Sequence, residues 1–259
     1  MSHLSGSTFP AGTFAPAPKR APVLRMILAQ AGIEARLFLR HGEQQLLSLI
    51  IPAAFLIGLC SIDVLGLDRP VNTVFPFSLA LAGMSAGFTG QAIAVAFDRR
   101  YGALKRIGAS GVPSWTIIFG KVVAVLGVAC VQSAILTTIA LLLGWRAPLL
   151  SCVGALIVLW LGVMSFTALG LMLGGRLSSE AVLASANLVW FLLLGAAGYA
   201  QFRAGGDLHT ALSLVPSVAF THALTSALAG AIAWFDLAVL GGWAVVASVA
   251  AIKLFRFTA

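Results

Sequence analysis

The chain has 259 residues, of which 60% are hydrophobic and only 9% are charged. Soluble domains carry about 25% charged residues, so this composition excludes an ordinary water-soluble domain and indicates a polytopic membrane protein. The formal net charge of +8 does not indicate nucleic-acid binding. The basic residues lie in short segments between apolar runs, where they set membrane topology, and not on a basic face interleaved with aromatic residues.

The N-terminal part of the chain divides into a tail and an amphipathic segment. Residues 1–21 are rich in Ser, Gly, Pro and Ala and lack a continuous apolar stretch, which predicts a disordered cytoplasmic tail and not a secretory signal. In residues 22–43, apolar side chains recur every three or four positions and Arg25, Arg36, Arg40 and Glu43 group on another face. This pattern predicts an interfacial helix with its basic side toward anionic headgroups or a cytosolic partner.

Residues 44–259 contain six apolar runs near the roughly 20 residues that a helix needs to cross a membrane. The predicted spans are Gln44 to Ile62, Val71 to Phe97, Val122 to Trp145, Ala147 to Gly175, Ala181 to Phe202, and Leu237 to about Phe255. With the N-terminus in the cytoplasm, thirteen Lys and Arg residues lie inside and three outside. The sequence therefore predicts an all-α membrane protein with six transmembrane helices and both termini cytoplasmic.

The segment from Leu208 to Phe235 is long enough to span but contains Pro216, His209, His222 and several Ser and Thr residues. A crossing here would move the C-terminus outside and weaken the charge asymmetry to eleven against five. We therefore expect a re-entrant helical hairpin, broken near Pro216 and bordering protein or a wet cavity. A metal-binding or pH-sensing role for the two histidines stays open beside the simpler interpretation as polar residues at the headgroup boundary.

Catalytic signatures are missing from the sequence. Gly120 and Lys121 are followed by Val122, which does not fit a phosphate-binding loop, so we expect no ATPase site and no cofactor in this chain. All eight acidic residues lie in connections or near the ends of apolar runs, which weakens an ion-coupled transporter or an intramembrane hydrolase. The three cysteines offer no disulfide framework.

A charged island runs from Phe97 to Trp115 and is closed by Lys121, and it contains five of the sixteen Lys and Arg residues. A generic cytoplasmic loop would account for the charge alone. However, a short helix between Arg99 and Ala109 would place Tyr101, Leu104 and Ile107 on one side as an apolar ridge. That ridge indicates a surface for a protein partner.

Three motifs resemble those of the permease subunits of ABC-2 type transporters, which include bacterial drug, lipid and polysaccharide exporters. They are DRRYGALKRI (Asp98 to Ile107), LGLMLGGRLSSEA (Leu169 to Ala181) and LSLVPSVAFTHAL (Leu212 to Leu224). Their order and spacing carry the likeness from about Pro22 onward. Ala103 and Gly111 depart from the family pattern, which commonly has Thr and often Pro at these positions.

The resemblance implies a permease of the cell membrane that moves a hydrophobic or amphipathic substrate outward. It would pair with a second copy or a sister permease, contact membrane lipid, and bind two cytosolic ATPase subunits that hold ATP and Mg. The residues implied to couple the chain to the ATPase are Asp98, Arg99, Arg100, Tyr101, Gly102, Leu104, Lys105, Arg106 and Ile107, with a smaller contact from Arg176 and Glu180. The alternative is a non-transporting scaffold that docks a cytosolic partner through the same loop.

Overall fold

A computed structural model describes residues 21–40, 42, 46–62, 66–109, 112–202 and 210–254. Nearly all of the predicted N-terminal tail lies outside these ranges, as do Glu43, Gln44 and His209. Within the described ranges the regular structure is entirely helical and contains no strand. The predicted all-α class is therefore confirmed.

The described residues form ten helices in chain order. They are α1 (Val23–Arg40), α2 (a π-helical turn Leu46–Ile50 continued by Ile51–Ser61), α3 (Pro70–Arg100), α4 (Ala103–Ala109), α5 (Ser114–Leu142), α6 (Leu149–Gly174), α7 (Ser179–Phe202), α8 (Thr210–Ser213), α9 (Pro216–Leu228) and α10 (Trp234–Leu254).

Five of these helices, α3, α5, α6, α7 and α10, are long and apolar enough to cross a membrane, with 20 to 31 residues in each span. The described part of α2 covers only residues 46–61, or about 24 Å of helix against a hydrocarbon core of about 30 Å. A sixth span therefore stays a prediction. Helix α5 begins at Ser114, eight residues before the predicted start at Val122. Lys121, which was predicted to lie before the span, is therefore within the helix.

Helix α3 is the centre of the bundle. In its most apolar window 89% of the residues are buried, against 22–44% in the other four spans. A π-helical turn, Ser85–Thr89, interrupts it. There Ser85 Oγ donates to the carbonyl of Leu81 at 2.8 Å and accepts a hydrogen bond from Trp190 Nε1 at 2.9 Å. A buried polar contact thereby joins α3 to α7.

Glycines bring α3 and α6 into backbone contact. A Cβ atom added at Gly170 would lie 2.5 Å from the carbonyl oxygen of Phe88 and 2.9 Å from that of Gly87. A Cβ at Gly87 would in turn lie 3.0 Å from the carbonyl oxygen of Val163, and one at Gly174 would overlap Ala92. Small residues allow such approach between membrane helices. Gly87, Gly170 and Gly174 therefore serve helix packing within the bundle.

The segment between α7 and α10 is broken where the sequence predicts. Helix α8 ends at Ser213, and α9 begins with Pro216 at its first position after an extended Val215. The side chain of Phe220 is fully buried against Gly83 of α3 and Gly162 of α6. Helix α9 is thus part of the packed core, while its re-entrant position in the membrane remains a prediction.

We expect Gly170→Ala to lower the apparent melting temperature, because the new methyl group meets backbone atoms that cannot rotate away. Overpacking of this kind costs about 1–3 kcal/mol. Gly154→Ala in the same helix is the matched control, since a Cβ there meets nothing within 4 Å. Thermal unfolding of both variants in detergent tests this, and equal melting temperatures would show that the α3 to α6 contact can relax.

Candidate functional site: the charged end of α3

The predicted coupling segment begins inside α3 and not on a separate helix. Asp98, Arg99 and Arg100 are the last three residues of α3, and Tyr101 and Gly102 form a turn before α4. Gly102 has φ +69, a left-handed conformation that glycine adopts without steric cost. The turn joins the central helix of the bundle directly to the short helix α4.

Arg99 is 5% exposed and binds the end of α6. Its Nη1 atom donates to the carbonyls of Gly174 and Leu177, both at 3.0 Å. The last carbonyls of a helix have no partner within the helix and carry partial negative charge. The guanidinium of Arg99 therefore satisfies these acceptors and holds the end of α6 against α3.

Arg100 binds the start of α7. Its Nη1 atom donates to Ser179 Oγ at 3.0 Å and forms an ion pair with the carboxylate of Glu180. The Arg100 and Glu180 side chains are 49% and 68% exposed, so solvent screens their attraction and the pair adds little to stability. The pair orients the two connections relative to each other more than it stabilises the fold. Arg176, in the connection before α7, is exposed.

Asp98 and Lys121 connect α3 to α5 and α1. Lys121 Nζ lies 2.9 Å from Asp98 Oδ2 and 2.6 Å from Glu34 Oε1, and the lysine side chain is only 2% exposed. Gln30 Nε2 donates to the same Glu34 oxygen at 2.8 Å. A Cβ at Gly120 would lie 2.6 Å from Gln30 Cβ, so α1 lies directly on α5. One buried ammonium thus joins carboxylates of two helices.

Two expectations for the charged island are wrong in part. A cytoplasmic loop would leave these charges in water, but Arg99 and Lys121 are buried while Arg100, Lys105 and Arg106 are exposed. A single helix from Arg99 to Ala109 was also expected. Because α3 continues to Arg100 and α4 begins at Ala103, Tyr101 lies in the turn between them and stacks on Phe97, with ring centroids 5.9 Å apart.

The exposed part of the island is a surface around α4. Tyr101 is 65% exposed, and Lys105 and Arg106 are also exposed. Arg106 Nη2 donates to the carbonyl of Tyr101 at 3.2 Å. The side chains of Leu104 and Ile107 lie outside those that the structure describes. We call Tyr101, Lys105 and Arg106 the α4 surface.

His222 of α9 contacts Asp236 near the start of α10. The two side chains meet at 2.7 Å through Nδ1 and Oδ2, with Asp236 buried and His222 about half exposed. The hydrogen bond to Asp236, together with its charge, raises the pKa of His222 although partial burial opposes the shift. Among the described residues no group of three His, Cys, Asp or Glu side chains could hold a metal ion. The pair therefore joins α9 to α10.

Comparison with protein-family models gives a match to an ABC-2 family transporter protein over residues 66–253, from the residues before α3 into α10. The chain belongs to the ABC-2 transporter family. Comparison with curated proteins gives no match. The resemblance read from the motifs is therefore confirmed, and the family, with the five apolar helices, identifies a multi-pass membrane protein. Asp98, Lys121 and the α4 surface lie inside the region shared with other ABC-2 transporters, whereas Glu34 lies before it.

Sequence reasoning missed Glu34, Ser179 and Asp236 as members of these contacts. Glu34 had a detectable signal in the sequence, because it follows the apolar Ala31 by three residues and precedes the apolar Phe38 by four, which places it on the apolar face of the predicted helix. An acidic residue on the apolar face of a helix requires a cationic partner. The identity of that partner, Lys121, depends on which helices are neighbours and has no sequence signature.

We expect Lys121→Met to lower the melting temperature, because Glu34 and Asp98 would then face each other without a counter-charge. Breaking a buried ion pair costs about 3–5 kcal/mol, and the partial exposure of Asp98, 31%, places the effect at the lower end. The exposed Lys105→Met is the control. Adding Glu34→Gln to Lys121→Met should restore part of the loss, and identical unfolding of Lys121→Met and Lys105→Met would contradict a stabilising role.

The His222 to Asp236 contact predicts pH-dependent stability. Because the folded-state pKa of His222 is raised above 6.5, the stabilisation is fully present below about pH 6.5 and is lost as pH rises through the raised value. Melting temperatures measured from pH 5.5 to 8.5 in the wild type and in His222→Gln test this. The wild-type melting temperature should fall as pH rises, and His222→Gln should lose this fall. Asp236→Asn should weaken the fall in the same way. A fall of equal size in all three proteins would rule out this pair as its source.

Proposed function

We propose that the chain is the membrane-spanning permease subunit of an ATP-binding-cassette exporter. It would move a hydrophobic or amphipathic substrate of a drug, lipid or glycan-like class out across the cell membrane, using ATP hydrolysed by a separate cytosolic subunit. The observation that carries this proposal is the direct connection of the exposed α4 surface to Asp98, Arg99 and Arg100, within a chain of the ABC-2 family.

The predicted coupling residues divide into two groups by their contacts. Tyr101, Lys105 and Arg106 are exposed, and with Leu104 and Ile107 we assign them to the contact with the ATPase, where the basic side chains favour an acidic partner surface. Asp98, Arg99 and Arg100 bind within the chain, so we assign them to transmission, with Gly102 providing the turn between the groups.

The transmission group contacts three helices besides α3, and reaches a fourth, α1, through Lys121. Asp98 reaches α5 and α1 through Lys121, Arg99 binds the end of α6, and Arg100 binds the start of α7. A displacement of α4 by an ATPase subunit would move the end of α3 and, through these bonds, the ends of its neighbours together. Glu180 takes part through Arg100, and Arg176 extends the cytoplasmic contact.

We propose the rest of the assembly by analogy with the ABC-2 family. Two permease chains, identical or sister subunits, would bind two ATPases that hold ATP and Mg, so this chain needs neither an ATPase site nor a cofactor. The α2 region would provide the first of six spans, with both termini cytoplasmic. Helices α8 and α9, with Pro216 and His222, would form the re-entrant segment beside the route between the permeases.

We expect charge reversal of the α4 surface, Lys105→Glu with Arg106→Glu, to abolish co-purification of the proposed cytosolic ATPase subunit. Lys and Arg at an interface steer an acidic partner, and reversal turns this attraction into repulsion. Arg69→Glu is the matched control, because Arg69 is an exposed basic residue at the opposite end of α3. Pull-down with the tagged full-length chain measures the effect, and retained binding in the double variant would remove the α4 surface from the contact.

A second variant distinguishes the residues that bind the ATPase from those that transmit its movement to the bundle. Arg100→Ala should keep the ATPase bound but lose substrate-stimulated ATP hydrolysis and ATP-dependent substrate movement in proteoliposomes. If the wild type binds the ATPase but moves no substrate under any condition, the scaffold alternative replaces the exporter. If no Walker-A protein is encoded next to the chain and none binds, the coupling role itself is wrong.

A further inference from the structure

A cavity of about 300 Å³ lies between α1, α2 and α5. Ala31, Ala35 and Leu39 form its wall on α1, and small and aliphatic residues between Val123 and Ile135 form the wall on α5. Leu39 and Val131 remain 58% and 56% exposed, so the cavity is open to the surroundings of the bundle. We call it the α1 groove.

The lining of the α1 groove excludes water and suits a hydrocarbon chain. Apolar cavities stay dry, and α5 is one of the five apolar helices long enough to cross the membrane, so the medium at the opening is lipid. Val123 and Ile135 are separated by twelve residues, or about 18 Å along the helix, which is close to the half-thickness of a hydrocarbon core of about 30 Å. The groove therefore has the depth of one leaflet.

The deep part of the groove is closed by a polar contact. The buried Gln132 lines it and donates from Nε2 to Ser48 Oγ at 2.9 Å, which ties α5 to α2. The volume of the α1 groove is at the lower end of the range for small-molecule sites, about 300–1,000 Å³. A single acyl chain fits such a space, and a complete lipid does not.

Positive charge lies beside the groove on α1. Arg36 and Arg40 directly follow the lining residues Ala35 and Leu39, and both are exposed. Glu34, the acidic residue described on this helix, is 13% exposed and already bonded to Lys121. The exposed charge available to a headgroup at this position is therefore cationic, which favours an anionic phosphate over a zwitterionic headgroup.

We propose that the α1 groove binds one acyl chain of an anionic phospholipid from the adjacent leaflet, with the phosphate held by Arg36 and Arg40. The bound lipid fills the space between α1 and α5 on one side, while the Glu34 to Lys121 ion pair joins the same helices by charge. This inference depends on the membrane location of the chain and not on the transport function.

Photolabelling tests the acyl-chain site. The full-length chain is reconstituted in phosphatidylcholine vesicles containing phosphatidylglycerol with a photoreactive acyl chain, irradiated, and its labelled peptides identified by mass spectrometry. We expect label in residues 123–135 and on α1. Gly127→Trp should reduce it on the order of tenfold, equivalent to about 1.4 kcal/mol of binding, because Gly127 lines the groove and a side chain there meets open space.

The control is Gly195→Trp on α7, another exposed glycine with open space around its Cβ position and outside the groove. It should keep the wild-type labelling. Val131→Trp provides a second filling variant from a side chain that is already exposed. Equal labelling of residues 123–135 in the wild type and both filling variants would overturn the proposal, as would absence of label there, the result expected if a second copy of the chain covers the groove.

The headgroup is tested separately with phosphatidylcholine that carries the same photoreactive chain. We expect it to label residues 123–135 more weakly than phosphatidylglycerol. Arg36→Ala with Arg40→Ala should reduce phosphatidylglycerol labelling to the phosphatidylcholine level without moving it along the chain. Equal labelling by the two lipids in the wild-type protein would overturn the assignment of an anionic headgroup.

Discussion

The arrangement at the charged end of the bundle depends on the guanidinium of Arg99. The last carbonyls of a helix have no partner within the helix, and at the end of α6 the carbonyls of Gly174 and Leu177 accept hydrogen bonds from the buried Arg99. A buried guanidinium also needs several acceptors to offset its desolvation. The carbonyls at the helix end gain a donor, and the buried guanidinium gains acceptors. The neighbouring residues, Asp98 and Arg100, are thereby placed where their partners on α5 and α7 can be reached.

Close backbone packing between α3 and α6 makes this contact possible. Gly170 and Gly174 let α6 lie against the carbonyls of Phe88 and Ala92, which brings the end of α6 within reach of Arg99, about two turns beyond Ala92 on α3. Larger residues would separate the helices and move the carbonyls away from Arg99. These glycines therefore affect the electrostatics of the site by keeping the end of α6 within hydrogen-bond distance of Arg99.

Periodicity and hydropathy predicted features that belong to one helix at a time. They located most spans within a few residues, the amphipathic α1 and the break beside Pro216. They did not predict that Arg99 and Lys121 are buried, because burial depends on which helices become neighbours. The predicted start of α5 was wrong for the same reason. Lys121 was treated as a loop residue, but it lies within α5, and Glu34 of α1 and Asp98 of α3 compensate its charge. The contacts of Arg99 with backbone carbonyls leave no side-chain pattern to detect.

Lys121 gives the two proposals a common physical element. Its ammonium is shared between Asp98, one turn from the α4 surface, and Glu34 on the helix that forms one wall of the α1 groove. A partner that shifts α4 would alter the Asp98 side of this contact, and a lipid that holds α1 would alter the Glu34 side. Binding free energies coupled through one element are reciprocal. Any factor by which an anionic lipid changes the affinity of α4 for its partner must therefore equal the factor by which the partner changes the affinity for the lipid.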